Sequence, residues 1–248
     1  MTSRTRRNLL SVEVLEDRSV PAAITVTTLN DTVAVDGLVS LREAVQSING
    51  GANINGDVVA VGAYGTSDTI NFTGLSGTIT LTSNLDTITR SVTIDGTTGT
   101  GFAGTPVITV SGDAKKFRTF VITGPNVVIS SLAILRSSAD GILITGSGAT
   151  NASIIGNHIG LDSTNIADAS IVSSGVSIER GATGANIGGT SPGARNVISG
   201  SGIGGVNIAD PGTSNNVVAG NYIGTDATGG VPHEKWTVFS GGFGYASA

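Results

Sequence analysis

NASIIGNHIGLDST, residues 151–164, returns without a gap as NNVVAGNYIGTDAT, residues 215–228. The match extends upstream, where GILITG at 141–146 returns as GVNIAD at 205–210. Gly141 pairs with Gly205, Ile144 with Ile208, Asn157 with Asn221, Ile159 with Ile223 and Asp162 with Asp226. A looser relative, GVSIERGATGANIGG at 175–189, lies between the two copies and subdivides the unit. Short β-branched runs repeating between Gly-rich bends describe stacked β units, each too thin to bury its own apolar face. Equivalent side chains then lie over one another. Asn157 and Asn221 fall at equivalent corners, where side-chain amides can bond from one turn to the next.

The same texture runs back through the chain. ITVTTL at 24–29 alternates and reads as a first strand. DVVAV (57–61), DTINF (68–72), GTITLT (77–82), SVTID (91–95), PVITV (106–110), FRTFVIT (117–123) and SLAIL (131–135) read as further strands. An antiparallel sandwich would use evenly spaced hairpins, whereas in-frame echoes favour parallel strands stacked in register. At about 4.8 Å per step, eight to ten turns predict a rod roughly 40–50 Å long.

One segment breaks the pattern. SLREAVQSING at 40–50 places Leu41, Ala44, Val45 and Ile48 on a single stripe at helical spacing. Ser40 and Glu43 have the spacing of a capping box, and Gly50 and Gly51 supply a left-handed stop. A lone amphipathic helix ahead of a strand-rich chain predicts a lid over the open end of the stack.

Composition narrows the function classes. A net charge of −5 argues against a nucleic-acid partner, which would favour a basic face. The chain has no cysteine, so a disulfide framework and a thiolate zinc site are both excluded. No run approaches the roughly 20 apolar residues of a membrane span. Residues 1–23 begin with a basic stretch, MTSRTRRNLL, but Glu13, Glu16, Asp17 and Arg18 interrupt the apolar region of an ordinary export signal. By composition they form a disordered leader. At the other end, VPHEKWTVFSGGFGYASA at 231–248 loses the strand pattern. It reads either as a cap, with Trp236 and Phe239 folded over the last turn, or as a truncated or frameshifted end of a longer repeat.

Two blocks carry a family resemblance. VEVLEDRSVPAA at 12–23 resembles the LEDR…VPA leader of large exported proteins from planctomycete-type bacteria. DTVAVDGLVSLREAVQSING, DTINF, GTITLTSNL and SVTIDG resemble the CSLREA domain that opens many bacterial right-handed parallel β-helix proteins. Val39 stands where that domain often has Cys. ANIGG, RNVISG and GNYIGTDATG are similar to the pectate-lyase-like turns that follow it. The resemblance spans residues 25–230 and implies a right hand, export to the cell surface or beyond, and kinship with polysaccharide lyases, glycoside hydrolases and adhesins.

Chemistry is sparser than architecture. GTGFAG at 99–104 and GSGIGG at 200–205 match a dinucleotide-binding signature, but strands rather than helices follow both. Asp162 and Asp226 share an offset and are the candidate Ca²⁺ ligands, with Asx turns as the alternative role. His158 and Tyr222 exchange at one position and are the candidate carbohydrate-binding pair, on an outward site. Asp140 has no carboxylate partner nearby in sequence for glycoside hydrolysis. Arg136, Arg180 and Arg195, the arginines a lyase could use as base, fall at strand ends or turns.

The reading is an all-β chain: one parallel β-helix over residues 24–230, with a capping helix at 40–50. Its expected function is an exported, non-catalytic surface module for adhesion or carbohydrate interaction, with no catalytic residues and no obligatory cofactor. A polysaccharide lyase or glycoside hydrolase is the second reading and an inert fragment of a larger repeat protein the third. Expected partners are a polysaccharide or cell-surface glycan, and another copy meeting the uncapped C-terminal turn end to end or edge to edge.

Overall fold

The computed structural model describes residues 20–114, 116–161 and 171–232. In chain order the elements are β1 (Ala23–Thr25), α1 (Leu41–Gly50), β2 (Asp68–Asn71), β3 (Gly77–Thr80), β4 (Val92–Asp95), β5 (Ile108–Ser111) and β6 (Phe120–Ile122). They continue with β7 (Val128–Ser130), β8 (Ala133–Leu135), β9 (Ile142–Thr145), β10 (Ser153–Ile155), β11 (His158–Ile159) and β12 (Ser174–Glu179). The last are β13 (Asn186–Gly188), β14 (Val197–Ile198), β15 (Gly204–Ile208), β16 (Val217–Ala219) and β17 (Tyr222–Ile223).

These strands make three sheets. The first has the order β1-β2-β4-β7-β10-β13-β16, the second β3-β5-β8-β11-β14-β17 and the third β6-β9-β12-β15. Every pairing between these strands is parallel, which excludes the antiparallel sandwich. From β7 onward the chain visits the three sheets in rotation, so each sheet takes every third strand. Seven strands at about 4.8 Å spacing span roughly 30 Å, shorter than eight to ten turns would be. The difference arises early in the chain, where residues 26–64 form α1 and its connections instead of full turns.

Registration puts like on like. One inward column of the first sheet runs Ile24, Ile70, Ile94, Ile129, Ile154, Ile187 and Val218. The second sheet contributes Ile79, Val110, Ile134, Ile159, Ile198 and Ile223, and the third Ile122, Ile144, Ile178 and Ile208. Most of these side chains are fully buried in one continuous core, each contributing about 1.5–3 kcal/mol of hydrophobic stabilisation. A one-residue slip would turn a whole strand's isoleucines outward, which is why register is strongly specified.

The corners explain the Asn and Gly punctuation. Where the chain enters the first sheet, Asn126, Asn151, Gly184 and Asn215 have φ of 52°, 56°, 69° and 59°. Only Gly, and Asn at modest cost, adopts this left-handed conformation routinely.

The helix forms as its stripe predicts. Ser40 accepts the Glu43 amide at 3.1 Å, the Glu43 carboxylate accepts the Ser40 amide at 2.8 Å, and Gly51 ends the helix at φ 67°. Leu41, Ala44, Val45 and Ile48 are all buried. DVVAV does not become a strand. Val61 instead makes an isolated antiparallel bridge to Ala23, and Val59 and Val61 stay exposed while Val58 packs inward. The segment lies against the edge of β1, where it satisfies backbone groups without extending the sheet. The leader and the first strand overlap, since Ala22 is buried and Ala23 opens β1. Residues 1–19 lie outside the described residues, and of the 231–248 tail only Val231 and Pro232 are described.

Candidate functional site

His158 and Tyr222 occupy one outward column of the second sheet, with Val197 between them in register. The common column is what their exchange in the echo implies. The outward site is not. His158 is only 7% exposed, and desolvation pushes its pKa below the ordinary 6.5. Its Nδ1 is buried without a hydrogen-bond partner. Thr109, Ala133 and Val197 in the same column are buried too, so the outer face of this sheet is covered along its middle. A strand pattern distinguishes inward from outward positions, but it does not reveal which outward positions lie beneath a loop.

Tyr222 remains half-exposed, yet its ring is already engaged. The Arg195 guanidinium lies 4.2 Å from the ring centroid. Arg195 also donates from Nη1 to the Tyr222 hydroxyl at 2.7 Å and from Nε to the Gly220 carbonyl at 2.9 Å. Gly229, at φ 74°, approaches so closely that a β-carbon there would strike the ring. A sugar stacking on Tyr222 would have to displace Arg195, so the residue pair does not form an open carbohydrate platform.

Asp226 closes a turn. One oxygen, Oδ1, accepts from the Thr228 hydroxyl at 2.7 Å and from the amides of Thr228, Gly230 and Val231 at 3.1–3.3 Å. The hydroxyl bond first, and the amides after it, hold the carboxyl below its ordinary range. This is the Asx-turn role. Asp162, its proposed partner for Ca²⁺, lies outside the described residues. Among the described residues, no cluster of three or more His, Asp or Glu side chains is arranged to hold a metal ion.

The other candidates are occupied in the same way. Asp140 accepts the Ser174 amide at 3.1 Å, tying the entrance of β12. Arg180 is exposed beside Glu179 at 3.3 Å, and Arg136 sits at a left-handed bend with φ 53°. Both glycine-rich signatures lead into strands, β5 and β15, so neither offers a helix N-terminus to a phosphate.

Two networks escape the sequence reading. Asn196 stands between Asn157 and Asn221 and completes a ladder. Asn157 donates from its backbone N and Nδ2 to Asn196 Oδ1 at 2.9 and 3.1 Å, and Asn196 repeats both bonds to Asn221 at 3.2 and 2.9 Å. The signal was present, since Asn196-Val197-Ile198 matches Asn157-His158-Ile159 and Asn221-Tyr222-Ile223. The second network centres on Arg42. Its Nε and Nη2 grip the Asp31 carboxylate at 2.9 and 2.7 Å, while Nη1 reaches Asp86 at 3.1 Å and the Asn84 carbonyl at 2.7 Å. Burial acts to lower the Arg42 pKa, but the two carboxylates outweigh it and raise the value.

What remains open is the outer face of the seven-stranded sheet. Thr69, Thr93, Val128, Ser153, Asn186 and Val217 form one register column, partly buried from Thr69 to Ser153 and exposed at Asn186 and Val217. Asn71, Asp95 and Ser130 flank it in the next column. It is a ladder of small polar and β-branched groups at strand spacing.

Among the described residues no helix is long and apolar enough to cross a membrane. Compared with known proteins, the chain matches no family model and no curated sequence.

Proposed function

We propose that this chain is a right-handed parallel β-helix working as an exported, non-catalytic surface module that holds a polysaccharide or cell-surface glycan. The rotation of parallel strands among three sheets supports the solenoid. The hand and the exported setting rest on the resemblance of the SLREA block and the LEDR…VPA leader to exported β-helix proteins.

The observation that carries the binding role is the polar column on the first sheet, from Thr69 through Thr93 and Ser153 to Asn186. Hydroxyls and amides spaced at one or two strand steps of about 4.8 Å, with Val128 between Thr93 and Ser153, suit a ligand that is itself a linear polymer. Each contact is weak alone, and a polymer engages many at once. The side chains with catalytic potential support the same reading: Asp140, Asp226 and Arg195 are tied into turns and neighbouring strands.

The test is retention of the purified chain on a panel of immobilised polysaccharides, with mass spectrometry of the soluble phase. The expected result is retention on at least one glycan, lost in Thr93→Arg and Ser153→Arg at unchanged stability, with no oligosaccharide released. Released products with unsaturated ends would make the chain a lyase, and saturated ends a hydrolase. Either outcome overturns the non-catalytic role.

A further inference from the structure

Among the described residues, the two ends of the stacked sheets are built differently. β15, β16 and β17 are edge strands, and among the described residues no strand lies beyond them. In a parallel ladder, alternate residues bond to opposite neighbours. Tyr222 and Gly224 donate back to Asn196 and Ile198 at 2.9 and 2.8 Å, so Ile223 between them presents its N–H and C=O forward. Val217 donates back to Ala185 at 2.8 Å, which leaves Val218 facing forward in β16. Ile203 and Ala209 bond back to Ser173 and Ile178, which sets Val206 and Ile208 forward in β15.

The side chains of this last turn are open as well. Ile208 is 45% exposed, whereas Ile144 and Ile178 in its column are fully buried. Residues 204–232 carry only two charged side chains, Asp210 and Asp226, and no Lys or Arg of the kind that blocks natural sheet edges. Asp226 is turned into its own loop. The turn at 204–231 supplies roughly the 20–30 residues a side of a standard interface.

We propose that this end is an isologous interface on which a second copy of the chain docks, C-terminal turn to C-terminal turn. The described N-terminal end differs from the C-terminal one, so a like-to-like contact is the arrangement proposed. There the segment at 61–63 bridges residues 21–23 beside β1, and the Arg42–Asp31 clamp holds α1 down. A twofold axis perpendicular to the stack pairs one of the three edge strands with itself and the other two with each other, antiparallel. That arrangement closes at two copies and leaves a capped end at both poles.

The test is sedimentation equilibrium of the full chain over a concentration series, with two variants. The expected species is a dimer of twice the 24.6 kDa chain mass. Val218→Pro removes a forward amide for which no described residue supplies an acceptor, and an edge strand tolerates proline. It is expected to weaken dimerisation by about tenfold or more, the scale of a lost backbone bond per edge pairing. Ile208→Lys places a charge on the same turn through a side chain alone, and is expected to give monomer with an unchanged circular dichroism spectrum. A wild-type monomer at all concentrations would overturn the proposal, as would a dimer that persists in Ile208→Lys. Assemblies that grow beyond two copies would show that the N-terminal end accepts a partner.

Discussion

Among the described residues, the N-terminal end of the stacked sheets carries a helix bonded across it, whereas β15, β16 and β17 at the other end have no strand beyond them. At the first end, α1 lies across the segment at 83–89, held by Arg42, by Gln46 to Asp86 at 3.1 Å and by Asn49 to Thr87 and Thr89 at 2.7 and 2.9 Å. That segment itself bonds to β6 and its flanks through Leu85 and Ile88. Lid, loop and third sheet are therefore one bonded unit. At the last turn, columns that are fully buried elsewhere surface as Val206, Ile208, Val218 and Ile223. The lesson is that a repetitive β architecture propagates on small, similar side chains but terminates on dissimilar ones. The molecule's buried Arg–Asp pair and its amphipathic helix lie at the capped end.

Substitutions that break this contrast should rank accordingly. Arg42→Met leaves the Asp31 side chain, fully buried, without its cation. The expected loss is about 3–5 kcal/mol of stability in urea titration, the scale of an uncompensated buried charge. A loss below about 1 kcal/mol would show that the lid is not held by this clamp. Next, Asn196→Ala strands the Asn157 donors and the Ile154 carbonyl, while Asn221 Oδ1 keeps only the backbone amide at 196, with an expected cost of about 3 kcal/mol. Asn221→Ala leaves the Asn196 amides and the Ile187 carbonyl without their partner, but at the last described turn, and about 2 kcal/mol is expected. Equal costs would contradict a gradient from capped to open end.

Smaller effects sharpen the same comparison. Ser40→Ala removes the helix cap and should cost about 1 kcal/mol, while Ile94→Val in the buried column costs a similar amount and Ile208→Val almost nothing. The smallest expected effect is acidic. His158 is held neutral by burial, with a folded pKa below 6.5. The unfolded chain takes up a proton near 6.5 and the folded chain only at lower pH. The contribution is thus fully present above pH 6.5 and is lost as pH falls below it, by at most about 1.4 kcal/mol per pH unit. Thermal melts of wild type and His158→Leu at pH 7.5 and 5.5 should differ by this slope. Identical acid sensitivity in both would place the titrating group elsewhere.

How much of this was legible in the sequence follows from range. The helix was readable to its cap, because stripe, capping box and glycine stop are all local. The inward columns were readable because period-two alternation and the 141–165/205–229 echo locate Ile144, Ile159, Ile208 and Ile223 together. Asn196 was recoverable from the Asn-x-Ile repeat. The misread DVVAV shows the limit of propensity, since a valine run can lie across a sheet edge without joining the sheet. The burial of His158 and the Arg195–Tyr222 stack depend on connections between strands, for which no periodicity exists. The Arg42–Asp31 pair joins residues that only the folded lid brings together.

Native-state hydrogen exchange in dilute solution tests the central claim most directly. A stack capped at one end and open at the other predicts slowest exchange for the Ile70, Ile94, Ile129 and Ile154 amides, intermediate rates through β12 and β13, and fastest exchange for Val206, Val218 and Ile223. Uniform protection along the columns, or slowest exchange in β15–β17, would contradict it.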